Sequence, residues 1–359
     1  MSPEARSGLS RRSVFGVGIA SSALDERADD PALRRALHEE LLEDLAVHGR
    51  LIFTSQEHLD TFVAAVRSLP TSLAKEWEAM LSSRRVQVGF ARPPLSEALT
   101  NILEPAVIDA ELADDLELVL VESDQAQLLG VPPDEFSATT PSGLVEIGRI
   151  ATASRTAVIK AARQTLDAPL REGVNREVEW TERFGPLCTD AKPIVVYDKF
   201  VGQQTVRRYL YSQGGGDGLS WLLARISMVP GRRVRIITAI TDAVERGQSF
   251  DERAMVLGFT RLRDALGDRD LRLDLVLVPE KIRADKGRAV ERFGHDRHIR
   301  FGERAALALG AGIQTFAQAT IRETVSVARL PISDAKAREE RAIRSAVRPP
   351  DGGWLDPRG

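Results

Sequence analysis

Three short runs dominated by aliphatic residues alternate with helical periodicity in the second half of the chain, and this alternation constrains the fold most. Ile194-Val195-Val196-Tyr197, Val234-Arg235-Ile236-Ile237-Thr238 and residues 271–278 are rich in aliphatic side chains. Strands that are apolar on both faces belong in a sheet covered by helices on each side. The intervening residues 204–228 and 251–266 read as helices, the first interrupted by the glycine run at 214–218. After Gly294 come two more extended segments, 295–301 and 305–316. The order β-α-β-α-β-β-β predicts an α/β domain over residues 190–330. A charged, mostly helical tail, 331–359, is expected to be partly disordered, because it ends in Pro349-Pro350-Asp351-Gly352-Gly353.

A chain of 359 residues is long enough for two domains at roughly 150 residues each. The N-terminal part reads as a smaller α/β domain over residues 1–172. Ser10-Arg11-Arg12-Ser13-Val14-Phe15 faintly resembles a twin-arginine export signal, but the apolar run is short and holds glycines. An opening strand over 14–20 is the preferred reading. Asp30-Pro31 starts a helix in which Leu33, Leu37, Leu41 and Leu45 recur at helical spacing. A buried strand over 51–53, a helix capped by Ser55 and another over 73–81 follow. Residues 116–121 read as a strand and 145–166 as a helix. The boundary falls in 172–190, which is short on periodic pattern and contains Gly173, Gly185 and Pro186.

Charge separates along the chain. Residues 1–189 hold 19 basic and 30 acidic side chains, net −11, whereas 190–359 hold 30 and 22, net +8. Such asymmetry suits a polyanion partner or a self-complementary assembly. Arginine dominates, 42 against seven lysines, and adds planar, bidentate phosphate recognition. The single cysteine, Cys188, excludes an internal disulfide and a cysteine-based zinc site, and it fits a cytoplasmic location. No apolar run approaches the roughly 18 residues of a membrane span.

The densest chemistry lies in Gly294-His295-Asp296-Arg297-His298-Ile299-Arg300-Phe301-Gly302, followed by Leu309-Gly310-Ala311-Gly312-Ile313-Gln314-Thr315-Phe316. On a strand His295 and Arg297 share one face, and Asp296, His298 and Arg300 the other. An imidazole beside a guanidinium suits a phosphodiester: the ring attacks phosphorus or moves a proton, and the cation neutralises the equatorial oxygens. Gly310 and Gly312 let backbone approach that site closely. Arg300, Arg232 and Arg233 are further candidate phosphate contacts. Gly214 to Gly218 reads as a flexible loop or an anion nest without the lysine of a P-loop.

The pattern H-D-R-x-I-R-F followed by L-G-x-G-I-Q-x-F resembles the phospholipase D-like C-terminal domain of microtubule-interacting-and-transport proteins, over roughly residues 190–320. The resemblance implies the phospholipase D superfamily fold, whose active members carry H-x-K-x4-D motifs, usually two per site. Here Arg297 replaces the lysine, Gly302 stands at the aspartate position and no second H-x-K occurs. A two-histidine site would therefore need two chains, making a homo-oligomer the expectation. Three readings of His295 and Arg297 stand open: a structural pair, a non-catalytic phosphate site, and a working hydrolase. The expectation is a nucleic-acid-directed protein, related by analogy to bacterial defence or mobile-element systems, with no cofactor and no metal. One alternative is a scaffold for anionic lipid or a protein partner. Another is a metal-dependent nuclease in the N-terminal half, where Asp25, Glu122 and Asp124 occupy places at which PIN-type nucleases hold carboxylates.

Overall fold

The computed structural model describes residues 12–25, 30–83, 85–89, 99–112, 116–213, 216–245, 247–267, 269–283, 290–293, 297–347 and 354–355. The chain is of the α/β class and divides into two compact units, 1–165 and 166–359. No helix among the described residues is long and apolar enough to cross a membrane.

The first unit runs β1 (Phe15–Ile19), α1 (Pro31–Val47), β2 (Gly49–Phe53), α2 (Gln56–Ser68), α3 (Thr71–Leu81), β3 (Val86–Val88), α4 (Pro105–Leu112), β4 (Leu118–Leu120), α5 (Ser123–Leu128), β5 (Ser137–Thr139), β6 (Glu146–Gly148) and α6 (Ala157–Asp167). Its sheet has the order β3-β2-β1-β4-β6-β5, and every neighbouring pair is parallel except β5–β6. The expected starts of α1 and α2 hold: Asp30 accepts from Ala32 N–H at 2.8 Å and Ser55 from His58 N–H at 3.1 Å. Residues 145–166, expected as one helix, are instead β6, a short 3-10 stretch (Ile150–Arg155) and α6. Glu146 is the reason. Its buried carboxylate accepts from Ala157 N–H at 2.8 Å and Val158 N–H at 2.7 Å, starting the helix twelve residues later than Val145.

The second unit follows with α7 (Arg176–Glu179), α8 (Gly185–Cys188), β7 (Ile194–Tyr197), α9 (Val201–Tyr209), α10 (Gly218–Ile226), β8 (Arg232–Glu245), β9 (Gln248–Phe250), α11 (Glu252–Leu266), β10 (Leu271–Pro279), β11 (Lys281–Arg283), β12 (Val290–Arg292), β13 (His298–Phe301), β14 (Ala305–Leu309), β15 (Val327–Leu330), α12 (Ile332–Arg344) and β16 (Trp354–Leu355). The junction expected at 172–190 is thus partly helical, and the units part just before Leu166.

The main sheet of this unit has the order β15-β14-β13-β7-β8-β10-β16. Strands β7, β8 and β10 are parallel, while β13 runs antiparallel to β7. One face is closed by α9 and α11, which pack on each other, with Gly202 N–H donating to Thr238 Oγ1 at 3.0 Å. The other face is closed by α12, whose Ala342 joins Val195, Tyr197, Ile237, Val276 and Phe293 in a buried cluster. The expected tail is therefore, over 332–344, a wall of the domain. Its pattern is short and highly charged, and only Ala335, Glu339 and Ala342 are buried, so periodicity alone conceals its docking.

Candidate phosphate-binding cleft

Strand β7 is where the sheet changes direction of growth. The chain adds β8 and β10 on one side, then returns to lay β13 on the other. Because β13 is antiparallel to β7, with His298 opposite Tyr197, the end of β7 adjoins the beginning of β13. Asp198 and Arg297 consequently meet at one end of the sheet. Open α/β sheets bind ligands at the carboxyl ends of strands where the order reverses.

Asp198 is 2% exposed. Its Oδ1 accepts from Phe200 N–H at 2.9 Å and its Oδ2 from Ile313 N–H at 3.0 Å. Burial pushes this carboxyl above the ordinary aspartate range, against the opposing pull of these N–H groups and of Arg297. Gly312 lies at φ +69°, and a Cβ there would stand 2.5 Å from Arg297 Cδ and collide with Asp198 Oδ2. Arg297 Cζ lies 5.0 Å from the centre of the Phe200 ring, a cation–π distance. Its Nε is buried without a hydrogen-bond partner among the described residues. Lys199 Nζ also approaches the Phe200 ring, at 5.3 Å, and pairs with Glu280 Oε1 at 2.9 Å.

Arg297 borders a polar cleft of about 630 Å³, with Gln204, Gly310, Gln314, Thr315 and Ser326 among its walls. The turn that carries Gln314 is braced from behind by the described part of the glycine run. Gly216 and Gly218 lie directly on the carbonyls of Ala317 and Ile313, where no side chain fits. Gln314 Nε2 donates to Gly216 O at 3.3 Å, and Asp217 caps α10 through Leu219 N–H at 3.0 Å. In place of an anion nest, the described glycines bring two backbone segments together. Gly214 and Gly215 lie outside the described residues.

Of the residues singled out in the sequence, Arg297, Gly310 and Gly312 come together here. His295, with Gly294 and Asp296, lies outside the described residues. Arg300 corrects the expectation of a phosphate contact. Strand alternation turns it to the α12 face, where Glu339 takes it in a bidentate pair, Nε–Oε1 at 2.8 Å and Nη2–Oε2 at 2.6 Å. His298 points the same way, 3.2 Å from Glu339 Oε1 and stacked on Tyr197 at 4.8 Å. Arg232 is a second correction. It is buried at the start of β8, the far end of the parallel strands, and donates to the carbonyls of Ala191 (3.0 Å) and Thr189. Arg233 is exposed at that same distant end, beside Arg272 of β10.

In the first unit, Asp25 pairs with Arg34 at 3.1 Å, and Glu122 and Asp124 are exposed at the start of α5. No cluster of three or more potential metal ligands occurs among the described residues. Cys188 is buried, and burial pushes its thiol up, so it is not a reactive thiolate. Asp198, which ends the 194–197 strand, and Phe200 and Gln204 were not among the candidate site residues. The available signal was position: Asp198 directly follows a strand buried on both faces, and such strand ends carry sites in sheets of this kind.

The arrangement offers the Arg297 guanidinium, set against an aromatic face near a buried carboxylate, with amide and hydroxyl groups, Arg322 and Glu323 among the other walls. It can bind an anion without any proton transfer by the described residues. No protein-family model matches the sequence, and comparison with curated proteins and with solved structures gives no match.

Proposed function

We propose that the chain is a nucleic-acid-directed protein of the phospholipase D-like type that binds a phosphodiester in the Arg297 cleft. The observation that carries this reading is the seating of Arg297 against the Phe200 ring, close to buried Asp198, bordering a polar cleft whose walls hold amide and hydroxyl groups together with Arg322 and Glu323. A phosphodiester carries one charge and several acceptor oxygens. The Arg297 guanidinium together with amide and hydroxyl donors matches that demand. Hydrolysis belongs to the same reading only if His295 supplies the nucleophile. Two chains would then share one site, because phosphoryl transfer through a histidine needs a second acid for the leaving group.

Binding of a labelled oligonucleotide by the full chain tests the proposal. Affinity should fall steadily as salt rises, since each phosphate contact releases counterions. Arg297→Ala should weaken binding by roughly 1.5–3 kcal/mol, the range for a lost charged hydrogen bond. A weak, salt-independent affinity, or an unchanged affinity in Arg297→Ala, would overturn it.

A further inference from the structure

The Arg297 cleft does not end where its first wall does. A second depression of about 430 Å³, walled by Glu172, Gly173, Thr320 and Ile321, shares Gln318 and Arg322 with it. The two form one groove, with Arg297 in its first part and Arg322 at the junction. A lone phosphate would fill only a small part of that length.

The floor of the second part is preformed. Gly173 N–H donates to Ile321 O and Ile321 N–H to Val174 O, both at 2.9 Å. Arg176 N–H donates to Ala319 O at 2.9 Å, and Leu170 and Val325 exchange a pair of 2.9 Å bonds. Residues 319–325 are thereby tied to 170–176, which fixes the backbone that carries Arg322. Its side chain is exposed and makes no ion pair among the described residues. An arginine on a fixed backbone, charged and unspent, stands ready for an anion.

The chemistry of the walls narrows the class of ligand. Gln204, Gln314, Gln318, Thr324 and Ser326 are neutral, and Glu323 places a carboxylate beside Arg322. A phosphate-dense polyanion would meet repulsion at Glu323. A polynucleotide carries one charge per residue, and its sugar hydroxyls and base amino groups are donors that a carboxylate or an amide oxygen accepts. Aromatic side chains are not among the described residues of these walls, so the proposed grip comes from backbone contacts in place of base stacking.

We infer that Arg322 is a second phosphate contact, and that the groove holds a polynucleotide strand across at least two successive phosphates. This rests on the proposed phosphodiester reading of the Arg297 cleft. The test measures fluorescence anisotropy of labelled oligonucleotides, a short one of about two nucleotides and a long one of about eight, with the full chain. Polyphosphate and vesicles containing an anionic phospholipid serve as competitors. The long strand should bind more tightly than the short one, and polyphosphate at equal phosphate concentration should compete poorly. Arg322→Ala should weaken the long strand roughly tenfold or more and lower its salt slope by roughly 0.7, leaving the short strand within about twofold. Arg322 is exposed, so an unchanged thermal melt is expected to accompany that loss. If Arg297→Ala abolishes binding and Arg322→Ala changes nothing, the second contact is wrong and the phosphodiester reading survives. If neither substitution matters, both fail. Efficient competition by polyphosphate overturns the inferred ligand class, and binding of vesicles without oligonucleotide overturns both readings.

Discussion

His38 and Arg300 are both polar groups inside the protein, and each is fixed by what must be true of its charge. His38 is 1% exposed and accepts a hydrogen bond on Nδ1 from Trp77 Nε1 at 3.1 Å. That bond requires a neutral imidazole. Burial, helped by nearby Arg34, pushes its pKa down from 6.5 to about 4. Between these values the unfolded chain takes up a proton that the folded chain refuses. The stability His38 contributes is therefore complete above pH 6.5 and is lost as pH falls toward about 4. Urea denaturation near pH 7 and near pH 5 should show a lower midpoint at the acid value in the wild type and a smaller drop in His38→Gln. Equal drops in the two proteins would show that His38 is not the group responsible. The Arg300–Glu339 pair is lost in the same direction of pH, although there it is the charged form that the fold favours. Burial raises the Glu339 carboxyl, but the bonds from Arg300 and His298 outweigh it and leave it below the ordinary range. Its contribution persists above the usual glutamate value and disappears only as pH falls through the lowered one.

At the scale of elements, three backbone segments converge on the cleft: the end of β7, the start of β13 and the turn after β14. Gly312 is where their spacing is tightest. Alanine there would hold a left-handed φ of +69° and push its methyl into Asp198 and Arg297. Such a backbone costs roughly 1–3 kcal/mol before any collision. Gly312→Ala should lower the melting temperature and reduce oligonucleotide affinity together, because the methyl displaces Arg297. Gly310→Ala should be milder, since the nearest obstacle, 2.6 Å away, is the rotatable Ser326 hydroxyl. Equal stability and affinity in Gly312→Ala would refute the close approach. The strands β7, β8 and β10 were legible in the sequence because their largely buried residues leave short, aliphatic-rich runs, interrupted by Arg235 in β8 and by Arg272 and Asp274 in β10. Arg297 with Gly310 and Gly312 was legible as a cluster because charge and glycine stand close in sequence. The start of α6 was not, since its cap is the Glu146 carboxylate, eleven residues before Ala157 in the chain. The true partners of Arg300 and Arg232 were also hidden, being 39 and 41 residues away. An arginine in a motif and an arginine in a buried pair read identically until the fold brings its acceptor near.

At the scale of the whole molecule, the described residues place Arg297 in the cleft but turn His298 away to Glu339, and the hydrolytic form of the proposal draws both its imidazoles from His295 of two chains. Net charges of −11 over 1–189 and +8 over 190–359 are compatible with association of copies. The proposed paired site has a quantitative signature. One histidine attacks phosphorus, and the other, from the second chain, protonates the leaving oxygen. In a mixture of wild-type and His295→Ala chains allowed to exchange subunits, only wild-type pairs hold both groups. Phosphodiester cleavage should then fall as the square of the wild-type fraction. Binding, which uses Arg297 of every chain, should stay nearly constant across the same series. A linear decline in cleavage would show that one chain suffices. Cleavage by a species that light scattering finds strictly monomeric would exclude the paired site outright.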